Sequence, residues 1–219
     1  MNLIHSKSRT DRLYYPLFLD ISDKPCLVVG GGKTAERKVR ILLKFNGAVR
    51  VVSPAISPVL EKLVEKGKIS LIAREYTESD LDGGIALVFA ATNNEVVNIR
   101  VRKDAAARNI LVNVVDNPVL CDFIVPSIIK KDPILIAIST SGTAPLVSRK
   151  LRKELAGRIT KNYARYARIV GDFRKFVIST VPNKRTRQAI LREIARMDVN
   201  EVTQMGLGNL KNRFLELKR

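Results

Sequence analysis

A glycine-rich turn between an apolar run and a segment with helical spacing constrains this chain most. Leu27–Val29 leads into Gly30, Gly31 and Gly32, and Ala35 completes the pattern Gly-x-Gly-x-x-Ala. Gly30 permits a tight turn, Gly32 leaves room for a pyrophosphate against the backbone, and Ala35 lets helix and strand pack closely. The amides at the helix start then face the phosphates, which the helix dipole favours. The motif predicts a dinucleotide site.

Length and composition indicate a folded protein. The chain has 219 residues, 46% of them hydrophobic, which suits one large domain or two small ones. The sequence has no run of about 18 apolar residues and a polar stretch over residues 1–12, so we expect no membrane span, no signal peptide and a cytoplasmic protein. Cys26 and Cys121 lack the spacing of a metal site, and His5, the single histidine, lies in a terminus that we expect to fray. We therefore expect neither a disulfide framework nor a histidine-based catalytic or metal site.

The charge of the chain is strongly positive. Lysine and arginine number 39 against 21 acidic residues, a formal net charge of +18. From Leu146 to the C-terminus there are 19 basic and 6 acidic residues, so +13 of this charge lies in the last third. Such a surface attracts a polyanion, which can be nucleic acid, an anionic membrane or a small molecule with several carboxylates or phosphates. A solvated helical surface is the remaining interpretation, and composition leaves all of these open.

Strands and helices alternate through the first half of the chain. The helix after the glycine turn ends at Asn46–Gly47, and Ser57 with Pro58 starts a shorter helix. Leu17–Asp20 is predicted as a short strand or a lead-in. Five strands separated by helices predict a doubly wound parallel sheet, whose ligands bind at the carboxyl ends of the strands. The predicted strands are residues 27–29, 48–53, 69–73, 85–91 and 110–115, of which 85–91 is apolar throughout and is placed inside the sheet.

The pattern changes after the fifth strand. Phe123–Pro126, Ile128–Ile129 and Ile134–Ile138 are short β-rich runs without room for a crossover helix. They form either an antiparallel extension or a strand-exchanged dimer interface, and we favour the interface because a small apolar sheet is barely stable alone. From Pro145 the spacing is helical, with a break at Val181–Asn183. The predicted division is a Rossmann domain at 1–116, a dimerisation segment at 117–144 and a basic helical domain at 145–219.

The end of the second strand lacks the acidic residue that dinucleotide sites normally carry there. Ser53–Pro54 holds this place, with Arg50 upstream. A serine can bond a ribose hydroxyl, and a nearby arginine can meet a 2′-phosphate. The fingerprint therefore leaves the choice between NAD and NADP open.

Three further stretches at strand ends or helix starts carry candidate side chains. Thr92 can contact the nicotinamide ribose, while Asn94 can equally cap the helix that runs to Arg108. Asp116 follows the fifth strand, where a carboxylate can accept a proton while hydride leaves for the cofactor, although its surroundings also have the composition of a plain turn. The hydroxyl-rich turn Ser139–Pro145 either binds carboxylates or caps the helix after it.

Five segments in order resemble the precorrin-2 dehydrogenase family, the dehydrogenase/chelatase module of siroheme synthase. They are residues 28–38, 89–94, 113–116, 122–127 and 138–145. The resemblance covers roughly residues 15–159 and implies oxidation of precorrin-2 to sirohydrochlorin with NAD by a homodimer. In some members the same site inserts ferrous iron, so iron is a second candidate substrate. The aspartate held essential in the family corresponds to Asp116.

The predicted site residues follow from the motifs and the resemblance together. The catalytic residue is Asp116, and no metal-ligand set is predicted. The predicted cofactor-binding residues are Gly30, Gly31, Gly32, Lys33, Thr34, Ser53, Pro54, Thr92 and Asn113. The predicted substrate-binding residues are Ser139, Thr140, Ser141, Gly142 and Thr143.

Charge and resemblance agree on a small polyanionic substrate. Precorrin-2 carries several carboxylates, so a basic helical lobe facing the nicotinamide suits its binding. The alternative is a dinucleotide-responsive nucleic-acid-binding regulator, but the sequence has no clear helix-turn-helix and no basic stretch interleaved with aromatic residues. The methyltransferase module of the longest family members is missing from this sequence, so we do not expect this chain to make precorrin-2 itself.

Overall fold

The computed structural model describes residues 13–216, which form two compact units. The first unit runs to Val125 and includes Ser141–Thr143, and the second contains Pro126–Thr140 and the chain from Ala144 onward. His5 lies outside the described residues. The division into three domains stays a prediction.

The first unit consists of a five-stranded parallel sheet with three connecting helices. The strands are β1 (Pro25–Val29), β2 (Ala48–Val52), β3 (Ile69–Ile72), β4 (Leu87–Ala90) and β5 (Leu111–Val114). The helices are α1 (Lys33–Lys44), α2 (Pro58–Glu65) and α3 (Glu95–Ala107). The strand order β3-β2-β1-β4-β5 reverses direction between β1 and β4, which is where doubly wound sheets bind ligands. The predicted fold class is confirmed.

Apolar cores cover both faces of this sheet. Val28 and Phe89 pack in one core with Leu60 of α2, and Val88 packs in the other core with Val101 of α3. All four side chains of β4 are buried, as expected for a strand that helices cover on both sides. This confirms the placement of the fourth strand inside the sheet.

Local hydrogen bonds and one left-handed residue mark the helix boundaries that were predicted in this unit. The Ser57 hydroxyl accepts a hydrogen bond from the Leu60 amide at the start of α2, and the Asn94 side chain accepts from the Val96 amide at the start of α3. Asn46 takes a left-handed conformation with φ 58° after α1. Residues 17–20 have no regular structure, so the lead-in alternative holds there.

The second unit joins a β-hairpin to four helices. The strands β6 (Ser127–Lys131) and β7 (Ile134–Ile138) pair antiparallel, whereas Phe123–Pro126 is not a strand. The helices are α4 (Pro145–Arg158), α5 (Lys161–Thr180), α6 (Lys184–Arg196) and α7 (Val199–Glu216), the last interrupted at Gly206. Their core contains Phe173, Ile194, Leu210 and Phe214. Within residues 13–216, no helix is both long and apolar enough to cross a bilayer.

A buried carboxylate holds together the loop that follows β3 in the first unit. Both terminal nitrogens of Arg74 donate to Asp80, at 2.8 and 2.7 Å, and the Thr77 amide donates to the same carboxylate at 2.8 Å. The side chain of Asp80 is 2% exposed and that of Arg74 is 44% exposed. Burial raises the pKa of Asp80, but the hydrogen bonds from Arg74 and Thr77 outweigh it, so the pKa lies below the ordinary 3.8.

We expect Asp80→Asn to lower the free energy of unfolding of the first unit by about 2 kcal/mol, because it removes the charge that satisfies Arg74 and Thr77. Urea unfolding measures the change in the free energy of unfolding, and hydrogen exchange of the β3 and β4 amides shows whether the change lies in the first unit. Since the pKa of Asp80 is lowered in the folded state, the stabilisation is fully present above about pH 3.8 and is lost as the pH falls through the folded pKa. The difference between native and variant chains should therefore shrink only in that acidic range.

The matched control is Arg40→Met, which removes the pair that Arg40 makes with Glu36 at 2.9 Å on the surface of α1. The side chain of Arg40 is 60% exposed, so we expect a change below about 0.5 kcal/mol. Equal losses in the two variants would contradict a special role for the buried carboxylate.

Candidate functional site

The turn from β1 to α1 lies directly against the backbone of two neighbouring loops. Gly30 has φ +117°, and a Cβ there would stand 2.5 Å from the carbonyl oxygen of Ala91 at the end of β4. A Cβ on Gly31 would stand 2.0 Å from the carbonyl oxygen of Ala55 in the loop after β2. Only residues without a side chain permit both approaches. The turn is thereby held where the strand order reverses.

Gly32 faces open space instead. No atom lies within 4 Å of a Cβ built on it. Gly32 is the N-cap of α1 and supplies no side-chain hydrogen bond, so the first amides of the helix lack a side-chain acceptor. Amides at a helix start beside unfilled space fit a bound pyrophosphate. The buried Ala35 then lets α1 pack closely on the sheet, as its size predicts.

Two predicted cofactor contacts next to the glycines differ in exposure. Lys33 is exposed at the first position of α1. Thr34 is half-buried, and its hydroxyl accepts a hydrogen bond from Arg37 at 3.1 Å. Both contacts stay predictions.

Ser53 is buried at the end of β2, and its hydroxyl donates to the carbonyl oxygen of Ala55 at 2.7 Å. The hydroxyl proton is therefore used in a hydrogen bond within the turn after β2. If Ser53 contacts the ribose, the ribose hydroxyl donates to the serine oxygen. Pro54 follows as an exposed residue. The cofactor contacts at both positions stay predictions.

Thr92 and Asn113 each have a structural partner. The Thr92 hydroxyl lies 2.8 Å from the Asn98 side-chain oxygen and accepts from the Asn94 amide at 3.1 Å. Asn113 is buried, and its amide nitrogen donates to the carbonyl oxygen of Phe123 at 2.9 Å. These bonds anchor the loop after β4 to α3 and the chain after β5 to its own strand. Cofactor contacts by Thr92 and Asn113 stay predictions.

Asp116 is an exposed carboxylate two residues beyond β5. The Val115 amide before it donates to the carbonyl oxygen of Ala90 at 2.9 Å, which extends the pairing with β4. Asp116 itself has φ 60°, a left-handed conformation that aspartate adopts more readily than most residues. Asn117 then continues the turn by donating to Val114. The carboxylate is accessible at the carboxyl edge of the sheet, and the segment is also a turn.

Lys38 is a charged group of this region that the sequence interpretation missed. Its Nζ lies 5.1 Å from the centroid of the Phe89 ring, which also packs edge-on against Phe123. Burial lowers the pKa of Lys38, and the neighbouring Arg37 lowers it further, while the carboxylate of Asp116 acts in the opposite direction. The sequence could have indicated this residue, because Lys38 lies three residues after Ala35 and therefore on the side of α1 that faces the sheet.

The turn predicted to bind substrate contains two left-handed residues, Ser141 with φ 51° and Gly142 with φ 80°. The Thr140 hydroxyl accepts a hydrogen bond from the Ala144 amide at 3.2 Å, which supports a capping role for this side chain. Substrate binding by residues 139–143 stays a prediction.

The two cysteines are buried. Burial raises the pKa of Cys26 to about 11. The Cys121 thiol hydrogen-bonds the backbone of Val114. Among the residues that the structure describes, no group of three or more histidine, cysteine or acidic side chains is arranged to hold a metal ion.

Comparison with known proteins gives matches of three kinds. A family model described as putative NAD(P)-binding matches residues 17–127. The siroheme synthase of Methylobacillus flagellatus is 41% identical over 191 residues, which is 87% of this chain and 41% of that protein. The siroheme synthase of Pseudoalteromonas atlantica is 37% identical over 205 residues, 94% of this chain and 44% of that protein. A solved structure described as SirC, precorrin-2 dehydrogenase superposes with a TM-score of 0.73 at 24% identity, covering 94% of this chain and 99% of the other.

These matches confirm the resemblance seen in the sequence and the predicted dinucleotide-binding fold. The chain spans less than half the length of the siroheme synthases that it matches. The family model covers about half of the chain and the whole of the parallel sheet. The chain therefore belongs to the putative NAD(P)-binding family, and its sequence is similar to those of siroheme synthases.

Proposed function

We propose that this chain oxidises precorrin-2 to sirohydrochlorin with NAD as the hydride acceptor. The observation that carries the proposal is the exposed carboxylate of Asp116, at the same sheet edge as the uncapped start of α1. The names of the similar siroheme synthases and of the similar dehydrogenase structure support the choice of substrate.

The residues of the first unit fit the cofactor. The amides at the start of α1 bind the pyrophosphate in front of Gly32, where the structure leaves space. NAD is chosen over NADP because the resemblance to precorrin-2 dehydrogenases implies NAD, while the matching family model allows either cofactor. When bound, NAD supplies the hydride acceptor at C4 of its nicotinamide ring.

Asp116 accepts the proton in this reaction. Oxidation of the tetrapyrrole removes one hydride, which bound NAD would accept, and one proton. The carboxylate takes the proton and, being exposed, releases it to water afterwards. Chelation of ferrous iron stays a prediction, in which Asp116 accepts the protons that the macrocycle nitrogens lose.

The second unit supplies positive charge for a substrate with many carboxylates. Helices α4 and α6 each carry five basic residues against one acidic residue. Such a surface raises the local concentration of a polyanion. The same charge attracts nucleic acid, but the similar proteins named above are siroheme synthases and a precorrin-2 dehydrogenase, so the tetrapyrrole interpretation is preferred.

We further propose that the chain forms a homodimer through the hairpin β6–β7 and the start of α4. Leu146, in the first turn of α4, is 74% exposed, and Val147 and Leu151 are also exposed on that helix. The side chains of Ile134 and Ile136, which lie on one face of the hairpin, are half-buried. A second copy covering these groups would remove apolar surface from water. A cytoplasmic location stays a prediction.

Substitutions in the glycine turn should separate folding from cofactor binding. We expect Gly31→Ala to destabilise the first unit by about 3 kcal/mol, because its Cβ collides with backbone. Gly32→Ala should lower stability by no more than about 1 kcal/mol, the cost of alanine at an N-cap, since its φ of −82° suits alanine and the space is open. The same methyl group should weaken NADH binding at least about tenfold by obstructing the pyrophosphate. Urea unfolding and titration of NADH fluorescence measure the two effects, and full NADH affinity in Gly32→Ala would contradict the cradle.

Replacement of Asp116 should stop the reaction without disturbing the fold. We expect Asp116→Asn to lower the rate of precorrin-2 oxidation by at least about 100-fold, because the general base is lost. Asparagine tolerates φ 60° as well as aspartate does, so NADH binding and stability should persist. An anaerobic spectrum of precorrin-2 with NAD records both NADH and sirohydrochlorin, and ferrous iron added to the same cuvette tests chelation.

The matched control is Asp23→Asn, an identical change at φ 58° in the turn before β1, at the opposite edge of the sheet. It should retain normal turnover. Near-normal turnover by Asp116→Asn would remove Asp116 from the mechanism, and no turnover by the native chain would refute the proposed activity.

The dimer is tested on the first turn of α4. We expect Leu146→Glu to shift the molar mass in light scattering toward the monomer, because a charge is placed in the interface. Val96→Glu is the matched control, since Val96 occupies the same second position of α3 and is 76% exposed. A monomeric native chain, or equal effects of the two changes, would contradict this interface.

A further inference from the structure

The side-chain amide of Asn98 binds the backbone of the loop after β4. Asn98 is the fourth residue of α3 and is 7% exposed. Its oxygen accepts a hydrogen bond from the Thr92 amide at 3.3 Å and lies 2.8 Å from the Thr92 hydroxyl. Its nitrogen donates to the Thr92 carbonyl oxygen at 3.0 Å. The side-chain amide thus pairs with both backbone polar groups of Thr92, as a neighbouring strand would.

Thr92 lies where this loop meets the glycine turn. The Ala91 amide donates to the Val29 carbonyl oxygen at 2.8 Å, so the chain stays paired with β1 up to the residue before Thr92. A Cβ on Gly30 would stand 2.5 Å from the Ala91 carbonyl oxygen and 3.1 Å from the Thr92 nitrogen. Gly30 therefore packs against the peptide group between Ala91 and Thr92, where the strand order reverses. A dinucleotide that binds at this reversal passes the same peptide group.

The bonds to Asn98 connect Thr92 to a fixed part of the fold. The Thr92 hydroxyl also lies 2.9 Å from the Asn94 carbonyl oxygen and accepts from the Asn94 amide at 3.1 Å, but these bonds stay within the loop and move with it. Asn98 belongs instead to α3, whose next turn places Val101 in the core of the first unit. The position of Thr92 relative to Gly30 therefore depends on the side chain of Asn98.

We infer that Asn98 is a positioning residue for the cofactor and that it holds the Thr92 peptide group in the place that dinucleotide binding requires. This inference rests on the cofactor site of the proposed function. Asn98 is buried and acts through Thr92. The role needs a donor and an acceptor on one short side chain, which asparagine provides. An ionised aspartate only accepts hydrogen bonds, and a leucine of similar size neither donates nor accepts.

The inference is tested with Asn98→Asp and NADH, without any tetrapyrrole. At about pH 8 the introduced carboxylate cannot donate to the Thr92 carbonyl oxygen, so we expect the Kd for NADH to rise at least about tenfold. Protonation of this carboxyl restores the missing donor, and burial raises the pKa of a carboxyl. The affinity should therefore recover as the pH falls toward about 5.5. Titration of NADH fluorescence at both pH values measures the Kd.

Three further variants separate positioning from general stability. Asn94→Asp is the matched control, because the Asn94 side chain only accepts from the Val96 and Val97 amides and an aspartate accepts equally well, so NADH binding should match that of the native chain at both pH values. Val101→Ala opens a cavity under the same helix, which should lower the urea midpoint but keep the affinity for NADH. Asn98→Leu adds no charge and should lose affinity equally at both pH values, which keeps the test valid if Asn98→Asp does not fold at the higher pH.

The outcomes distinguish this inference from the proposed function. Native affinity for NADH in Asn98→Leu, equal losses in Asn98→Asp and Asn94→Asp, or a loss in Asn98→Asp that does not respond to pH overturns the role of Asn98. A native chain that binds no NADH refutes the cofactor site and the inference with it. If the native chain binds NADH and Asn98→Asp does not, but precorrin-2 is not oxidised, the proposed reaction is refuted and the role of Asn98 stands.

Discussion

The first unit depends on backbone-to-backbone contact at the turn after β1. Gly30 brings this turn against the carbonyl of Ala91, and Gly31 brings it against the carbonyl of Ala55. The amide of Ser57 also donates to the Gly31 carbonyl, which ties α2 to the same point. Three strand ends and two helix starts are thus bound together where the sheet reverses its order. Because no side chain intervenes, the start of α1 opens onto space that a ligand can fill.

This arrangement gives the two ends of the site different electrostatics. At the start of α1 the structure offers the backbone amides behind Gly32 and the exposed Lys33, which both give a positive potential. After the end of β5 it offers the exposed carboxylate of Asp116, and the Lys38 ammonium lies over the Phe89 ring of the neighbouring strand β4. A pyrophosphate suits the first environment. A reaction that releases a proton suits the second, since only there is an exposed carboxylate available to take it.

Features that depend on local chain geometry could be predicted from the sequence. The positive φ of Gly30 and the helix caps at Ser57 and Asn94 follow from turn and capping rules within a few residues of chain, and the structure shows each of them. Features that depend on tertiary contact could not. The need for glycine at position 31 arises from the loop after β2, about 24 residues away, and the ring that holds Lys38 comes from β4. The hydrogen bond from Ser53 to Ala55 gives a structural reason for a serine at the end of β2, where the dinucleotide fingerprint normally has an acidic residue.

Asp116 shows why turn composition and catalytic function could not be separated from sequence. The chain must change direction after β5, and a left-handed residue achieves this; aspartate and asparagine adopt that conformation at the smallest cost apart from glycine. Glycine would make the same turn without a carboxylate, and asparagine would make it without a base. An aspartate at this position satisfies the turn and also presents an acid–base group at the sheet edge. The turn interpretation and the catalytic interpretation therefore both apply to Asp116. Its backbone conformation is the same in either case, so only the chemistry of its side chain distinguishes them.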